Sequence, residues 1–279
     1  MHEVSTRTAP HGWGVPETDA LAAMTDLRAL RLRFGEIDMR ALERPISRMT
    51  HLETLDLSGN YLDVGQIDPL LSTLSKLPTL RSLSLMYCCN VMKESSQKAF
   101  ATLLAELAGD HKACTAKLTH LNLGRNPIVG RFQMMGGVAD DLQRQLADVL
   151  GAAVKLTSLD LFHIRFCGLE AAPISEILVS SIGRVESLRH LNLGGNSIGF
   201  FFDFSIMCSN LRALTDLTHL DVSINEEPTA EACKCLVDFA LAMPALQILD
   251  VTRTLNAGGP NLKYAVDALE GRVTVKSEM

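Results

Sequence analysis

The chain has 279 residues, of which 47% are hydrophobic, and its formal net charge at pH 7 is −6. An acidic balance argues against a nucleic-acid-binding surface, which normally carries a basic patch or stripe. A membrane-spanning helix needs about 18 or more apolar residues in a row, and no window of the sequence approaches that length. We therefore expect neither a nucleic-acid partner nor a membrane span.

Residues 1–19 lack the basic region followed by an apolar run that marks a secretory signal. The seven cysteines are odd in number and include no CxxC pair, so neither a disulfide framework nor a metal site is indicated. Both features favour a reducing, cytoplasmic location. We expect residues 1–19 to be a flexible or capping segment and residues 20–279 to form a single domain.

An internal repeat begins at Leu27 and extends through the rest of the chain. The pattern LxxLxL occurs eight times, with valine as the last residue of the final two matches. The matches begin at Leu27, Leu52, Leu80, Leu118, Leu156, Leu188, Leu217 and Leu246. The alternation within LxL has the period of a β-strand, so each match predicts a short strand whose leucines point inward.

Three residues beyond the last strand leucine, the repeat calls for an asparagine or a cysteine. Five repeats supply it, at Asn60, Cys88, Asn126, Asn196 and Asn225. A buried amide there can bond the backbone of the neighbouring turn and hold one repeat against the next. The other repeats carry Gly35, Ile164 and Thr254 at this position, and we expect the ladder of buried side chains to be weaker there, at both ends and in the middle.

Segments with helical periodicity follow most of the strands, because their apolar residues recur every three or four positions. Helices are predicted over IDPLLSTLSKL from Ile67, SQKAFATLLAEL from Ser96, DDLQRQLADVL from Asp140, EILVSSIGRV from Glu176 and EACKCLVDFALAM from Glu231. Before the first repeat, DALAAM from Asp19 looks like the helix of an incomplete leading repeat. Near the other end, Val273–Val275 falls where a ninth strand is due.

A strand and a helix in about 28 residues, with the signature LxxLxLxxN/C, resemble the leucine-rich repeat, and the full-length helix resembles the ribonuclease-inhibitor type. The resemblance extends over roughly residues 20–275. It implies an α/β solenoid of horseshoe shape. Its concave side would be a parallel sheet of about eight or nine short strands, with the helices on the convex side.

The residue between the two strand leucines lies on the predicted concave face. It is acidic in three of the later repeats, at Asp160, Asp221 and Asp250. A row of carboxylates would suit a basic region of a protein partner.

Histidines stand in the preceding column, at His120, His190 and His219. Adjacent residues of a strand point to opposite faces, and on this ground we expect the histidines to point away from the aspartates. That expectation argues against a catalytic His–Asp pair and against a metal site. No GxxxxGK[ST] or GxGxxG loop is present, so we expect no cofactor and no enzymatic activity.

Two insertions follow strands on the same predicted rim, one after Asn126 and one after Asn196. With the repeat between them, they would gather Phe132, Met134, Met135, Phe162, Phe166, Phe200, Phe201 and Phe202, and we count His163 among the same partner-binding candidates. Either these side chains cover one another as a small satellite core, or they form a partner-binding patch. A third interpretation, shallow membrane contact, has no basic face to support it.

We interpret the chain as a non-enzymatic protein-binding module that uses the concave face and the rim insertions of repeats 4 to 6. Two alternatives stay open. The chain could regulate an enzyme, because its repeats resemble those of the Ran GTPase-activating proteins and of ribonuclease inhibitor. It could also be a sensor or scaffold segment of a larger receptor-like protein.

Overall fold

The computed structural model describes residues 3–7, 15–90, 93–127, 138–165, 172–200 and 202–277. The chain divides into two units, one formed by residues 1–126 with 152–155 and the other by residues 127–151 with 156–279. Within each unit, short parallel strands alternate with helices. The predicted α/β repeat fold with parallel strands is therefore confirmed.

The first unit contains five strands that are hydrogen-bonded to one another in chain order. They are β1 (Glu3–Arg7), β2 (Ala29–Arg33), β3 (Thr54–Asp56), β4 (Ser82–Ser84) and β5 (His120–Asn122). The helices described in this unit are α1 (Val15–Ala22), α2 (Met39–Ile46), α3 (Val64–Ser75), α4 (Glu94–Ala108) and α5 (Lys112–Thr115). We call the second leucine of each LxxLxL match its central leucine. From β2 to β5, the register pairs the central leucine of each strand with that of the next, through Leu30, Leu55, Leu83 and Leu121.

The second unit repeats this arrangement, and its strands are also bonded in chain order. They are β6 (Ser158–Asp160), β7 (His190–Asn192), β8 (His219–Asp221), β9 (Ile248–Asp250) and β10 (Thr274–Lys276). Its helices in the described residues are α6 (Val138–Ala152), α7 (Ala172–Gly183), α8 (Phe204–Leu211), α9 (Ala230–Ala242) and α10 (Pro260–Leu269). The last residue of α6, Ala152, is counted with the first unit.

The core of each unit lies between the leucine side of the strands and the apolar faces of the helices. The central leucine of every strand from β2 to β9 is at most 2% exposed. On α3 the buried residues Ile67, Leu70, Leu71 and Leu74 recur at the three- and four-residue spacing of one helix face. The same spacing predicted five helices from the sequence. All five are present, with ends within four residues of those expected.

The N-terminal segment contains a strand that the sequence did not predict. Strand β1 pairs with β2 over five residues, from Glu3 opposite Ala29 to Arg7 opposite Arg33. An ion pair between Glu3 and Arg31 adds to the backbone bonds. The expected boundary between residues 19 and 20 falls inside α1. At the other end, the expected ninth repeat strand is β10, displaced by one residue.

The buried amides of the ladder bond the backbone of neighbouring turns. The Asn60 Nδ2 donates to the carbonyls of Leu32 and Leu57 at 2.7 and 2.8 Å, and its Oδ1 accepts from the Gly35 N–H at 3.0 Å. Asn126 likewise accepts from the Cys88 N–H at 2.7 Å. Each amide therefore joins its own turn to an adjacent repeat.

The ladder continues at Thr254, where the sequence predicted a weaker connection. The Thr254 hydroxyl donates to the Val222 carbonyl at 2.7 Å and accepts from the Asn225 N–H at 2.9 Å. Asn225 in turn accepts from the Asn196 N–H at 2.9 Å. A threonine hydroxyl both donates and accepts, so it replaces the amide at this position.

Candidate functional site

A cleft of about 230 Å³ lies on the strand face of the second unit, the face that carries the residues on either side of the central leucines. All five strands of the unit contribute to it. Its charged and titratable lining is Asp160, His190, His219, Asp221, Asp250 and Lys276. We call it the aspartate cleft.

The expectation that the histidines point away from the aspartates is wrong. His219 and Asp221 are two residues apart on β8, and the buried Leu220 lies between them. Side chains two apart on a strand share a face, so the histidine and aspartate columns lie on the same side of the strands. His190 and Asn192 have the same relation on β7. The cleft therefore combines carboxylates with imidazoles.

The three aspartates each bond their own backbone at the end of a strand. The Oδ1 of Asp160 accepts from the Phe162 N–H at 2.9 Å, that of Asp221 from Ser223 at 2.8 Å, and that of Asp250 from Thr252 at 3.0 Å. Aspartate and asparagine side chains commonly bond the backbone two residues on. Asn192 does so to the Gly194 N–H at 2.9 Å, so this bond needs the oxygen and not the charge.

The carboxylates of the cleft have little compensating charge. Within the described residues, no salt bridge involves Asp160, Asp221 or Asp250, and Lys276 is the one lysine or arginine lining the cleft. Burial raises the pKa of Asp160 above its usual value, and the nearby charge of Asp221 raises it further. The bond from the Phe162 N–H acts in the opposite direction. An added cation would relieve this repulsion.

The two histidines of the cleft lie against each other. Their ring centroids are 4.5 Å apart, and the ring planes are tilted by 33°. The Nδ1 of His219 is 2.8 Å from the Thr218 hydroxyl oxygen. Burial lowers the pKa of His219 below its usual value, and His190 and Lys276 lower it further.

The expected rim residues have different environments. Phe132, Met134, Met135, Phe166 and Phe201 lie outside the described residues. Phe200 is 69% exposed, whereas Phe202 is 4% exposed and belongs to the core. Phe204, Cys208 and Leu211 are buried on one side of α8, at the three- and four-residue spacing of one helix face.

The side chains of Phe162 and His163 lie over glycines of the next repeat. A Cβ atom on Gly194 would come within 3.1 Å of the Phe162 ring, and one on Gly195 within 3.1 Å of the His163 Nδ1. The pair Gly194 and Gly195 therefore leaves room for two rings, which explains a glycine pair that fits no phosphate loop.

Two structural searches returned no further candidate. In the part of the chain that the structure describes, no group of three or more histidine, cysteine or acidic residues is arranged to hold a metal ion. None of the helices described is both long enough and apolar enough to cross a membrane.

Two family models, both described as leucine-rich repeats, match residues 51–74 and 186–199, one in each unit. The repeats of this chain are leucine-rich repeats. Leucine-rich repeat-containing protein 14 of Xenopus laevis is 33% identical over 155 residues, a stretch that covers 53% of this chain and 25% of that protein. The chain thus matches about a quarter of the length of that relative.

Two solved structures match most of this chain at low sequence identity. An internalin from Listeria monocytogenes is 17% identical with a TM-score of 0.47, over 93% of this chain and 69% of that chain. The TLR13 chain of a complex with ssRNA13 is 16% identical with a TM-score of 0.49, over 92% of this chain and 36% of that chain.

One residue of each leucine-rich repeat has a left-handed backbone, which the sequence did not reveal. It is the second residue after the last leucine or valine of the LxxLxL match. In the eight repeats these residues are Phe34, Gly59, Tyr87, Arg125, His163, Gly195, Ile224 and Arg253, with φ from 53° to 76°. The two glycines of the column were the one available signal, since glycine adopts positive φ readily.

This column also exposes aromatic residues in the first unit that sequence analysis passed over. The Phe34 ring lies over Gly59, where a Cβ atom would be 2.2 Å from its Cδ1. Tyr87 contacts Tyr61, with ring centroids 5.4 Å apart. Burial raises the pKa of Tyr61 to about 12, helped by its bond to Tyr87.

Proposed function

We propose that the chain is a protein-binding module whose aspartate cleft takes a basic segment of its partner. Leucine-rich repeat proteins typically act as protein-interaction modules, because stacked repeats present an extended binding surface. The observation that carries the proposal is the set of three carboxylates on β6, β8 and β9, which no cation within the described residues pairs.

The size and spacing of the cleft favour a side chain of a partner over a small organic ligand. Pockets for drug-sized ligands usually have about 300 Å³ or more, and this cleft has about 230 Å³. Neighbouring strands lie about 4.8 Å apart, so one guanidinium can reach the carboxylates of both Asp221 and Asp250. The repulsion between Asp160 and Asp221 would fall when such a cation binds.

An apolar contact at the rim would extend this interface. Phe200 is the most exposed large apolar side chain of the described residues, and such side chains mark interaction surfaces. We include Phe162 and His163 in the proposed contact because they lie at the ends of the strand face. Phe202 is excluded, since a partner cannot reach a buried ring.

The proposal also covers the repeat type, the activity and the location. Helices of 12 to 15 residues follow β3, β4, β5, β6 and β8, which favours the ribonuclease-inhibitor type. We propose a non-enzymatic role. Ser158 lines the cleft as the register partner of His190, but within the described residues no hydrogen bond joins its hydroxyl to that ring, as an activated nucleophile would require. The six cysteines described are thiols, and five of them are buried, which supports a reducing, cytoplasmic location.

Charge-removing substitutions that keep the backbone bonds test the proposal. Asparagine at residues 160, 221 and 250 retains the oxygen that Asn192 already uses, so the Asp160→Asn, Asp221→Asn and Asp250→Asn triple variant should keep its melting temperature. We expect it to bind a fluorescein-labelled peptide of alternating arginine and glycine on the order of tenfold more weakly, because each lost pair is worth ~1 kcal/mol or less in water. Fluorescence anisotropy measures the affinity.

Two further variants make this test specific. Asn192→Asp adds a fourth carboxylate to the same row and should tighten binding. Asp238→Asn removes the same charge from an exposed position on α9 and should leave the affinity unchanged. Equal affinities of the wild type and the triple variant would refute the proposed binding site.

A further inference from the structure

The two histidines of the aspartate cleft form a stacked pair between neighbouring strands. His190 of β7 is the register partner of His219 of β8, and their ring centroids are 4.5 Å apart. Two imidazolium charges at this distance would repel each other. A charge on one ring therefore disfavours a charge on the other.

Charged groups from four strands face this pair. Asp160 approaches from β6, Asp221 lies on β8 itself, Asp250 comes from β9, and Lys276 comes from β10. Burial is the largest of the causes that lower the pKa of His219, and His190 and Lys276 lower it further, so this ring is uncharged at neutral pH and gains charge only in more acidic solution.

We infer that the stacked His190–His219 pair is a proton switch that releases a basic partner from the aspartate cleft in mildly acidic solution. The inference rests on the proposed function, because it assumes that the cleft holds a cation. A protonated imidazole supplies an internal counter-ion to Asp221 and its neighbours. It also repels the cation of the partner, so protonation weakens partner binding and a bound partner disfavours protonation.

The first unit contains a matched control. His120 occupies the same column on β5, and its Nδ1 is 2.9 Å from the Thr119 hydroxyl oxygen, as His219 is bonded to Thr218. Its register partner on β4 is Ser82 and not a second histidine. A His120→Gln variant therefore removes an imidazole of the same column without changing the cleft.

The test measures binding of the arginine–glycine peptide between about pH 7.5 and pH 5.5, the range in which histidine titrates. We expect the wild type to lose about fivefold or more in affinity at the lower pH, the order produced by one added charge in contact with the ligand. The His190→Gln, His219→Gln double variant should lose less than about twofold, and His120→Gln should behave as wild type. Melting curves at both pH values establish that each variant is folded.

Imidazole nitrogen NMR of the free protein gives a second readout. The His219 ring should take up its proton at a higher pH in a His190→Gln variant than in the wild type, because His190 lowers its pKa, and an unchanged His219 titration would overturn the inference. A pH dependence that persists in the double variant would also overturn it. The Asp160→Asn variant would then test whether that carboxyl is the titrating group. A peptide that fails to bind wild type near pH 7.5 would remove both the proposed function and this inference, whereas the other two results leave the proposed function intact.

Discussion

Where the ladder position holds a buried polar side chain, that side chain contributes to stability through hydrogen bonds to the backbone of neighbouring turns. Thr254 is the clearest case, because it is 2% exposed and bonds both Val222 and Asn225. The Val222 carbonyl also accepts from the Asn225 Nδ2 at 2.8 Å, but the Asn225 N–H depends on the threonine oxygen. Loss of that oxygen would leave a buried donor without a partner.

We predict that Thr254→Val lowers the free energy of unfolding by about 1–3 kcal/mol, the usual penalty for a buried donor left unpaired. Thr254→Ser keeps the hydroxyl and loses one methyl group, so it should cost about 1 kcal/mol or less. Urea unfolding of both variants measures the difference. Equal losses would mean that packing, and not the hydroxyl, holds this turn.

The left-handed residues show why some single positions escape sequence analysis. A left-handed conformation costs a residue with a side chain about 1–2 kcal/mol, and bulky or β-branched residues usually avoid it. Yet Phe34, Tyr87 and Ile224 adopt it, because the turn of the repeat fixes the backbone regardless of the side chain. Residue type therefore carries little signal at this position.

At the scale of elements, periodic segments could be predicted and non-periodic ones could not. The leucine spacing located β2 to β9, and the helical spacing located α3, α4, α6, α7 and α9. Strand β1, with the sequence EVSTR, has no leucine, and its place depends on backbone pairing with β2 and on an ion pair. Neither feature leaves a periodic pattern.

The backbone geometry of the turn between β7 and α8 determines which of its phenylalanine side chains are exposed. Gly199 has a φ of 98°, and its N–H donates to the Phe202 carbonyl at 2.7 Å, which closes a tight loop with Phe200 at its tip. The Asp203 side chain then accepts from the Ser205 N–H at 2.7 Å and begins α8. The loop thus turns Phe200 outward and Phe202 inward.

We predict that Phe202→Ser destabilises the protein by about 3–5 kcal/mol, the usual cost of deleting a buried phenylalanine ring. Phe200→Ser should change the free energy of unfolding by about 0.5 kcal/mol or less, since most of its surface is exposed. Thermal melts of the two variants compare the positions directly. A large loss for Phe200→Ser would assign its ring to the core and remove it from the proposed contact.

At the scale of the whole molecule, the repeat predicted the candidate site better than single residues did. The repeat frame alone put Asp160, Asp221 and Asp250 in one row, and the structure places them in one cleft. The face of the histidines was predicted wrongly, because residues two apart were treated as neighbours of opposite orientation. The rings over Gly194 and Gly195 could not be foreseen, since they depend on contacts between repeats.

The buried thiols link the stability of the whole protein to alkaline pH. Burial raises the pKa of Cys88, Cys89 and Cys208 to about 12, from a usual value near 9. Above pH 9 the unfolded chain loses these protons while the folded chain keeps them, so ionisation favours unfolding. The stabilisation that a buried thiol contributes is thus fully present below pH 9 and is lost as the pH rises toward 12.

We predict that Cys208→Ala removes one thiol from this linkage. The free energy of unfolding of the wild type minus that of the variant should be constant below pH 9 and should fall by ~1.4 kcal/mol per pH unit above it. Met207→Ala, at a buried position of the same helix, removes packing without a titratable group, and its cost should not depend on pH. Urea unfolding from neutral to alkaline pH measures both differences. Parallel curves for wild type and Cys208→Ala would show that this thiol ionises equally in the folded and unfolded chains, because only a difference between the two states can change the slope.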